Sequence, residues 1–417
     1  MNLFGGVISV TGVSYLMFFV MAIAILGYML GRISIKGISL GTAGVFIVAL
    51  LFGALFYDEI AGVLTVTSAK ETVSYASQAL KVIENIGLIF FVTAVGFIAG
   101  PNFFKNLKKN YKSYILLGVI IILSGGLACV ACYYMGVGSE SDPKTFLALL
   151  DGILSGALTS TPGFSSAKAT VGAAYEEAVT VGYGIAYLFG VVGVVLFVQL
   201  MPKLMRADMD KERELLAAVN VGGKKKEYKG KIIDIDPLGL AAFALAAMIG
   251  IIVGSVKIPL SSAGLSGTTF SLTTTGGTLI TALVFGHFAH VGPINIMPGK
   301  KMLEILRELG LMFFLMGAGI SGGAKFVEYF KPIYFLYGVI ITLVPMIVGF
   351  FFAKYVLKLS LLNNLGSITG GMTSTPALGT LIHVAKTEDV ASAYAATYPI
   401  ALLAVVLVSQ FLWILLG

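Results

Sequence analysis

Two copies of one tetrapeptide, Thr159-Ser160-Thr161-Pro162 and Thr373-Ser374-Thr375-Pro376, set hydroxyls beside a proline in otherwise very apolar surroundings. Each closes a longer matched run, GILSGALTSTP over Gly152–Pro162 and GSITGGMTSTP over Gly366–Pro376. Proline and glycine free backbone groups that hydrocarbon cannot satisfy, so neither run is ordinary lipid-facing helix. A helix broken here leaves N–H groups at a new N-terminus, which carries roughly half a positive charge and attracts carboxylates. Thr159, Ser160, Thr161, Thr373, Ser374 and Thr375 add hydroxyl donors and acceptors at the same depth. Pro162-Gly163 and Pro376-Ala377 then open the next half-helix. Such a pair of segments suits binding of a small anion or zwitterion, with no catalytic group, cofactor or metal.

Further side chains near these runs can carry charge or protons. Asp151 precedes the first run in LALLDGILSG; its register partner in the second is Leu365, preceded by the neutral amides Asn363 and Asn364. An acid at this depth is costly, which marks Asp151 as functional. It can ligate a cation, take a proton, or pair with Lys168 beyond the first run, and the residue types leave all three open. His383, beyond the second run, is a candidate proton sensor. Charge at the site is therefore set mainly by the first run. His287 and His290 lack a third ligand and read as interfacial packing, while Cys129 and Cys132 read as small apolar residues one helical turn apart. A hydrolase using Ser160 or Ser374 with His383 as base lacks an acid to orient the histidine. Duplication also supplies two serines where an enzyme needs one.

These residues need a frame of membrane-spanning helices. The 417 residues are 57% hydrophobic and 12% charged, with mean hydropathy +0.95. That is about half the charge of a soluble protein. The net charge of +7 is explained by orientation in a lipid bilayer rather than by nucleic acid, because the basic residues lie between apolar stretches. The first apolar run lacks the basic flank and cleavage site of a signal peptide. Spans are expected near 13–31, 38–56, 84–101, 114–135 and 179–201, then 236–255, 268–288, 308–323, 333–356 and 391–416. The segments at about 146–171 and 361–385 are expected as re-entrant hairpins.

The chain also repeats itself. LGYMLG (Leu26–Gly31) matches IGIIVG (Ile249–Gly254), and GLIFFVTAVG (Gly87–Gly96) matches GLMFFLMGAG (Gly310–Gly319), both at an offset of 223. ALLFG (Ala49–Gly53) matches ALVFG (Ala282–Gly286), and Tyr183 and Tyr187 answer Tyr394 and Tyr398. The expected organisation is a first membrane repeat over 1–201, a charged cytoplasmic linker over 202–231, and a second repeat over 232–417. Five spans is an odd number, so the second repeat enters the membrane inverted. The Gly-x-x-x-Gly pairs in the first span of each half permit close helix crossing.

With this layout the chain resembles the aspartate–alanine exchanger family of bacterial secondary transporters. The likeness rests on the doubled G-x-[IL]-[ST]-G-x-[LM]-T-S-T-P runs and the tyrosine-bearing span after each. The resemblance implies an all-α polytopic membrane protein, an inverted 5+5 repeat with two re-entrant hairpins, working as an elevator-type homodimer in the inner membrane. It also implies exchange of aspartate for alanine, or of related amino acids and dicarboxylates. Ion-coupled symport and an anion channel are the alternatives. Members usually carry paired cytoplasmic regulatory domains between the halves, where this chain has only the short linker, too small to bury a core.

Topology follows from the basic residues. With the N-terminus outside, inner loops hold 20 of the 28 lysines and arginines, nine of them in the linker. Among the others on that side are Arg32, Lys300, Lys301 and Arg307. Both termini are then outside. Single cysteines placed at Asn2, Asn220 and Gly417 test this with an impermeant reagent on intact cells. The termini should react and residue 220 should not. Reaction at one terminus only would exclude the inverted arrangement.

Overall fold

Apolar runs of this length bury their backbone hydrogen bonds within helices, and helices dominate the architecture. The structure, a computed structural model, describes all residues except 1, 4–7, 36–37, 40–41, 69–70, 110, 220–232, 260–268 and 388. Lys36, Lys70 and residues 220–231 of the expected linker therefore lie outside the described residues. The first half runs α1 (Gly12–Gly31), α2 (Ala43–Val63), α3 (Ala76–Lys109), α4 (Tyr111–Gly136), the short α5 (Pro143–Ala157) and α6 (Thr161–Val171), then α7 (Glu176–Leu204). After α8 (Met209–Val219) come α9 (Leu240–Ser255), α10 (Thr273–Phe288), α11 (Lys300–Gly323), the single turn α12 (Phe326–Tyr329) and α13 (Pro332–Phe351). A π-helical turn, Phe352–Val356, extends α13. The short α14 (Leu361–Gly371) and α15 (Thr375–Ala385) precede α16 (Val390–Leu416). Small antiparallel ribbons join several helices; the longest pairs Thr65–Ser68 with Glu71–Ser74.

Every expected span falls on a helix. Among the described residues, seven helices are long and apolar enough to cross a membrane: α1, α2, α3, α4, α7, α13 and α16. α9 and α10 have 16 residues each, short of the ~20 that cross a bilayer without help. α11 carries Lys300, Lys301, Glu304, Arg307 and Glu308 in its first turns. The ten expected spans thus divide into seven that meet the length and hydropathy requirement and three that do not. The expected boundary at residue 202 falls inside α7, which runs through Pro202 to Leu204.

Two groups of helices pack among themselves. α1, α2, α3, α9, α10 and α11 form one group, while α4–α7 and α13–α16 form the other. They meet where α3 lies along α16, α11 along α7 and α10 along α6. Small residues permit the closest crossings. A Cβ on Gly44 of α2 would stand 2.4 Å from the Gly27 carbonyl oxygen, and one on Gly277 of α10 would stand 2.2 Å from that of Gly250. The two Gly-x-x-x-Gly pairs therefore do the same work in α1–α2 and α9–α10.

α8 fastens the open end of the α14–α15 pair. Glu212 Oε2 accepts from the Leu362 amide at 3.4 Å, at the N-terminus of α14. Arg213 Nη1 donates to the Ala385 carbonyl at 3.1 Å, at the C-terminus of α15. Each charge opposes the adjacent helix-dipole end, and Leu216 is fully buried beside them.

The short helices sit on glycines. A Cβ at Gly152 of α5 would lie 2.0 Å from the Val179 carbonyl oxygen of α7, a backbone atom that cannot move aside. Gly62 of α2 has nothing within 4 Å of that position. Gly152→Ala should therefore destabilise the protein by about 1–3 kcal/mol or more. Gly62→Ala should be neutral or stabilising by up to ~1 kcal/mol. Thermal unfolding in detergent compares the two; equal effects would refute the tight α5–α7 contact.

Candidate functional site

The matched runs form the turns between α5 and α6 and between α14 and α15. At each turn a threonine adopts the left-handed conformation, with φ 50° at Thr159 and 51° at Thr373. A β-branched residue there is strained by roughly 1–3 kcal/mol. Its hydroxyl explains its presence. Thr159 Oγ1 donates to the Met372 carbonyl at 2.9 Å, and Thr373 Oγ1 donates to the Leu158 carbonyl at 2.8 Å. Leu158 and Met372 end α5 and α14. Each hairpin therefore caps the broken helix of the other.

Beyond the turns, α6 and α15 begin at Thr161 and Thr375, with Pro162 and Pro376 in their first turns, as the proline positions predict. Ser160 caps α6 by accepting from the Gly163 amide at 3.1 Å. Ser374 holds the same place before α15, but its buried hydroxyl has no partner among the described residues. Tyr183 stacks on Tyr187, and Tyr394 on Tyr398, both at 4.9 Å between ring centroids.

A cavity of about 610 Å³ opens between the two helix groups at these turns. The hairpins contribute Thr159, Thr161, Pro162, Thr373, Thr375 and Pro376 to its wall. Tyr187 of α7 and Tyr394 and Tyr398 of α16 add phenol groups. The opposing group contributes Arg32 and Thr42 from the α1–α2 connection, and Arg307 and Glu308 from α11. Glu308 accepts from the Tyr28 hydroxyl at 3.0 Å. Arg307 has no ion-pair or hydrogen-bond partner among the described residues and shares the cavity wall with Tyr394 and Tyr398. The lining thus joins two helix N-termini, hydroxyls and guanidinium groups, all complementary to a small anion.

The other sequence-predicted residues take different places. Ser160, Ser374, Gly163 and Ala377 are buried behind the turns and do not line the cavity. Asn364 is buried, donating from Nδ2 to the Phe350 carbonyl at 3.0 Å. His383 is exposed on α15, away from the cavity lining. Asp151 and Lys168 do not pair, which closes one of the three roles open for the acid. Lys168 Nζ instead binds Glu84 Oε1 of α3 at 2.6 Å, both side chains being largely buried. Asp151 accepts from Ser409 of α16 at 2.7 Å. Arg307, counted by sequence among inner-loop charges, stands in the second turn of α11. Its counterpart at offset 223 is Glu84. That reversal of charge between two matched helices is a sequence signal from which both could have been singled out.

Residues 18–203 and 242–414 match the model of the family described as Asp-Al_Ex, predicted permease membrane region. The chain belongs to that family. It is 28% identical to the uncharacterized transporter BF2680 of Bacteroides fragilis over 548 positions, covering 93% of this chain and 96% of the relative. An uncharacterized transporter of Bacteroides thetaiotaomicron is 26% identical over 93% of this chain and 96% of its own length. The uncharacterized transporter DP0976 of Desulfotalea psychrophila is 23% identical, covering 95% and 96% respectively. The first alignment is longer than this chain's 417 residues, so BF2680 has residues that this chain lacks. The family match is interrupted over 204–241, the stretch that holds α8 and the linker.

The Glu84–Lys168 pair bridges the two helix groups, and removing one partner leaves a charge stranded. Glu84→Gln and Lys168→Met should each cost about 3–5 kcal/mol of stability, and the double variant should recover much of that loss. Denaturant unfolding in micelles measures the cycle. Additive losses would show that the pair is not coupled.

Proposed function

We propose that this chain is a secondary active transporter that exchanges small anionic or zwitterionic substrates by alternating access. Aspartate and alanine, or related amino acids and dicarboxylates, are the substrate class. The observation that carries this reading is the cavity walled by both hairpin turns and by Arg307. A carboxylate placed there meets the N-termini of α6 and α15 and a guanidinium group without an ion-pair partner. Membership of a permease family and relatives named transporters support the same reading.

The two hairpins are read as re-entrant segments of an inverted 5+5 repeat, which makes their mutual capping a contact between equivalents. The cavity reaches the side where α1 ends and where α2, α11 and α16 begin. With the linker in the cytoplasm this is the inner side of the bacterial membrane. On the opposite side the helix groups are held by Glu84–Lys168 and by Lys81–Glu176 at 3.0 Å. This one-sided closure favours a carrier over a channel. An elevator-type cycle moves the hairpin-bearing group, α4–α7 with α13–α16, against the other.

Counterflow in proteoliposomes tests the proposal. Vesicles are loaded with alanine, aspartate, glutamate or succinate, and uptake of each labelled partner is measured. Uptake should saturate and be accelerated by substrate on the far side. Arg307→Gln should raise the apparent substrate constant about ten- to a hundredfold, the worth of a hydrogen bond to a charged ligand. Linear flux without trans-stimulation would replace the carrier with a channel. Exchange that a sodium or proton gradient fully determines would replace it with a symporter.

A further inference from the structure

Asp151 sits on α5 one helical turn before Ser155, and both are buried behind the cavity wall. Its Oδ2 accepts from Ser409 Oγ at 2.7 Å. Its Oδ1 and the Ser155 hydroxyl are buried polar atoms with no partner among the described residues. We propose that Asp151, with Ser155 and Ser409, is a proton-binding site that travels with the substrate cavity. This rests on the transport reading above.

The internal repeat supplies a control within the same molecule. At the matching register, hairpin two has Leu365 for Asp151 and Thr369 for Ser155, and α7 has Val198 for Ser409 of α16. Leu365 and Val198 are fully buried, and Thr369 Oγ1 is satisfied by the Leu365 carbonyl at 2.6 Å. The fold therefore fills these places with apolar side chains and has no structural need of an acid. Placing one at the membrane interior is costly, and function is the usual reason for keeping it.

No counter-charge reaches it. On the elements packed against α5, α4 brings the Cys129 thiol toward Asp151, and α16 brings the neutral Ser409 and Gln410. α7 carries the Tyr183 phenol, and α13 those of Tyr334 and Tyr337. Lys168 on α6 is committed to Glu84. No described lysine, arginine or histidine forms an ion pair with Asp151. The carboxylate must then be neutralised by a bound cation, and the geometry favours the smallest. A hard metal ion takes about six or more oxygens, whereas helical carbonyls here are spent on their own helices. A proton needs only Oδ1.

Two hydroxyls, Ser155 and Ser160, stand between Asp151 and Thr161 of the cavity wall along the chain. A Cβ built on Gly163 would lie 3.2 Å from both the Ser155 and the Ser160 hydroxyl oxygens, so the two converge there. Ser160 stands between Thr159 and Thr161, which line the cavity. A proton entering from the cavity bonds to Oδ1 and converts carboxylate to carboxylic acid. It returns by the same hydroxyls when the cavity faces the other side, and no other bond changes.

Purified full-length protein in vesicles containing a pH-sensitive dye tests this, with labelled-substrate uptake and internal pH followed together. Uptake should carry protons in the parent. Asp151→Asn, and Asp151→Leu as the hairpin-two residue, should keep counterflow while losing proton movement and pH dependence. Infrared difference spectra between acid and alkaline pH should show a carboxylic-acid band that both variants lose, a readout that needs no transport. Uptake without proton movement in the parent, a band unchanged in the variants, or sodium dependence abolished by Asp151→Asn would each overturn the proposal. An infrared band with no substrate uptake at all would instead count against the transport reading.

Discussion

A helix that breaks inside a membrane leaves carbonyl groups that lipid cannot satisfy. In this protein the turns of two short-helix pairs satisfy each other's helix-end carbonyls. The Thr159 hydroxyl takes the last carbonyl of the α14 hairpin and the Thr373 hydroxyl takes that of the α5 hairpin. This crossed pair of bonds holds both turns in mutual contact. It also accounts for threonine in a backbone conformation that glycine would occupy without strain. With the carbonyl ends of α5 and α14 satisfied behind the wall, the N-termini of α6 and α15 face the cavity. The electrostatic character of the site follows from that division.

Positioning the turns demands close helix contacts, and glycine supplies them. Gly152 and Gly156 bring α5 against the backbone of α7, as Gly366 and Gly370 bring α14 against α16. Gly87 and Gly310 meet reciprocally where α3 crosses α11. Such contacts make each group of helices a close-packed body. Between the groups the contacts are of another kind. The buried Glu84–Lys168 pair and the part-exposed Lys81–Glu176 pair hold one side, and a polar cavity separates the groups on the other. An interface that is ion-paired at one end and open at the other is suited to two discrete arrangements.

The two hairpins are alike in backbone and unlike in charge. Hairpin one carries Asp151 and Lys168, and it ties to the opposing helix group through Glu84. Hairpin two carries amides at Asn363 and Asn364 and is fastened instead by α8, through Glu212 and Arg213. α8 ties the open end of hairpin two to the residues that follow α7. One duplicated backbone has thus acquired two separate attachments.

The sequence alone determined the helices, seven of them long and apolar enough to span, the matched runs and the two turns, because those depend on local rules. About twenty apolar residues cross a bilayer, proline starts a half-helix, and a repeat written twice is read by alignment. It also marked Asp151 as costly. What it could not determine was which charges meet. Glu84 and Lys168 are 84 residues apart, and their pairing depends on how α3 and α6 are both packed against α10 and α16. Hydropathy counted Arg307 as a loop charge because composition does not reveal which face of α11 turns toward the hairpins. The serines at 160 and 374 looked equal to their threonine neighbours in sequence. Tertiary structure alone set the serines behind the wall and the threonines on it, since the direction of each hydroxyl is fixed by the turn that holds it.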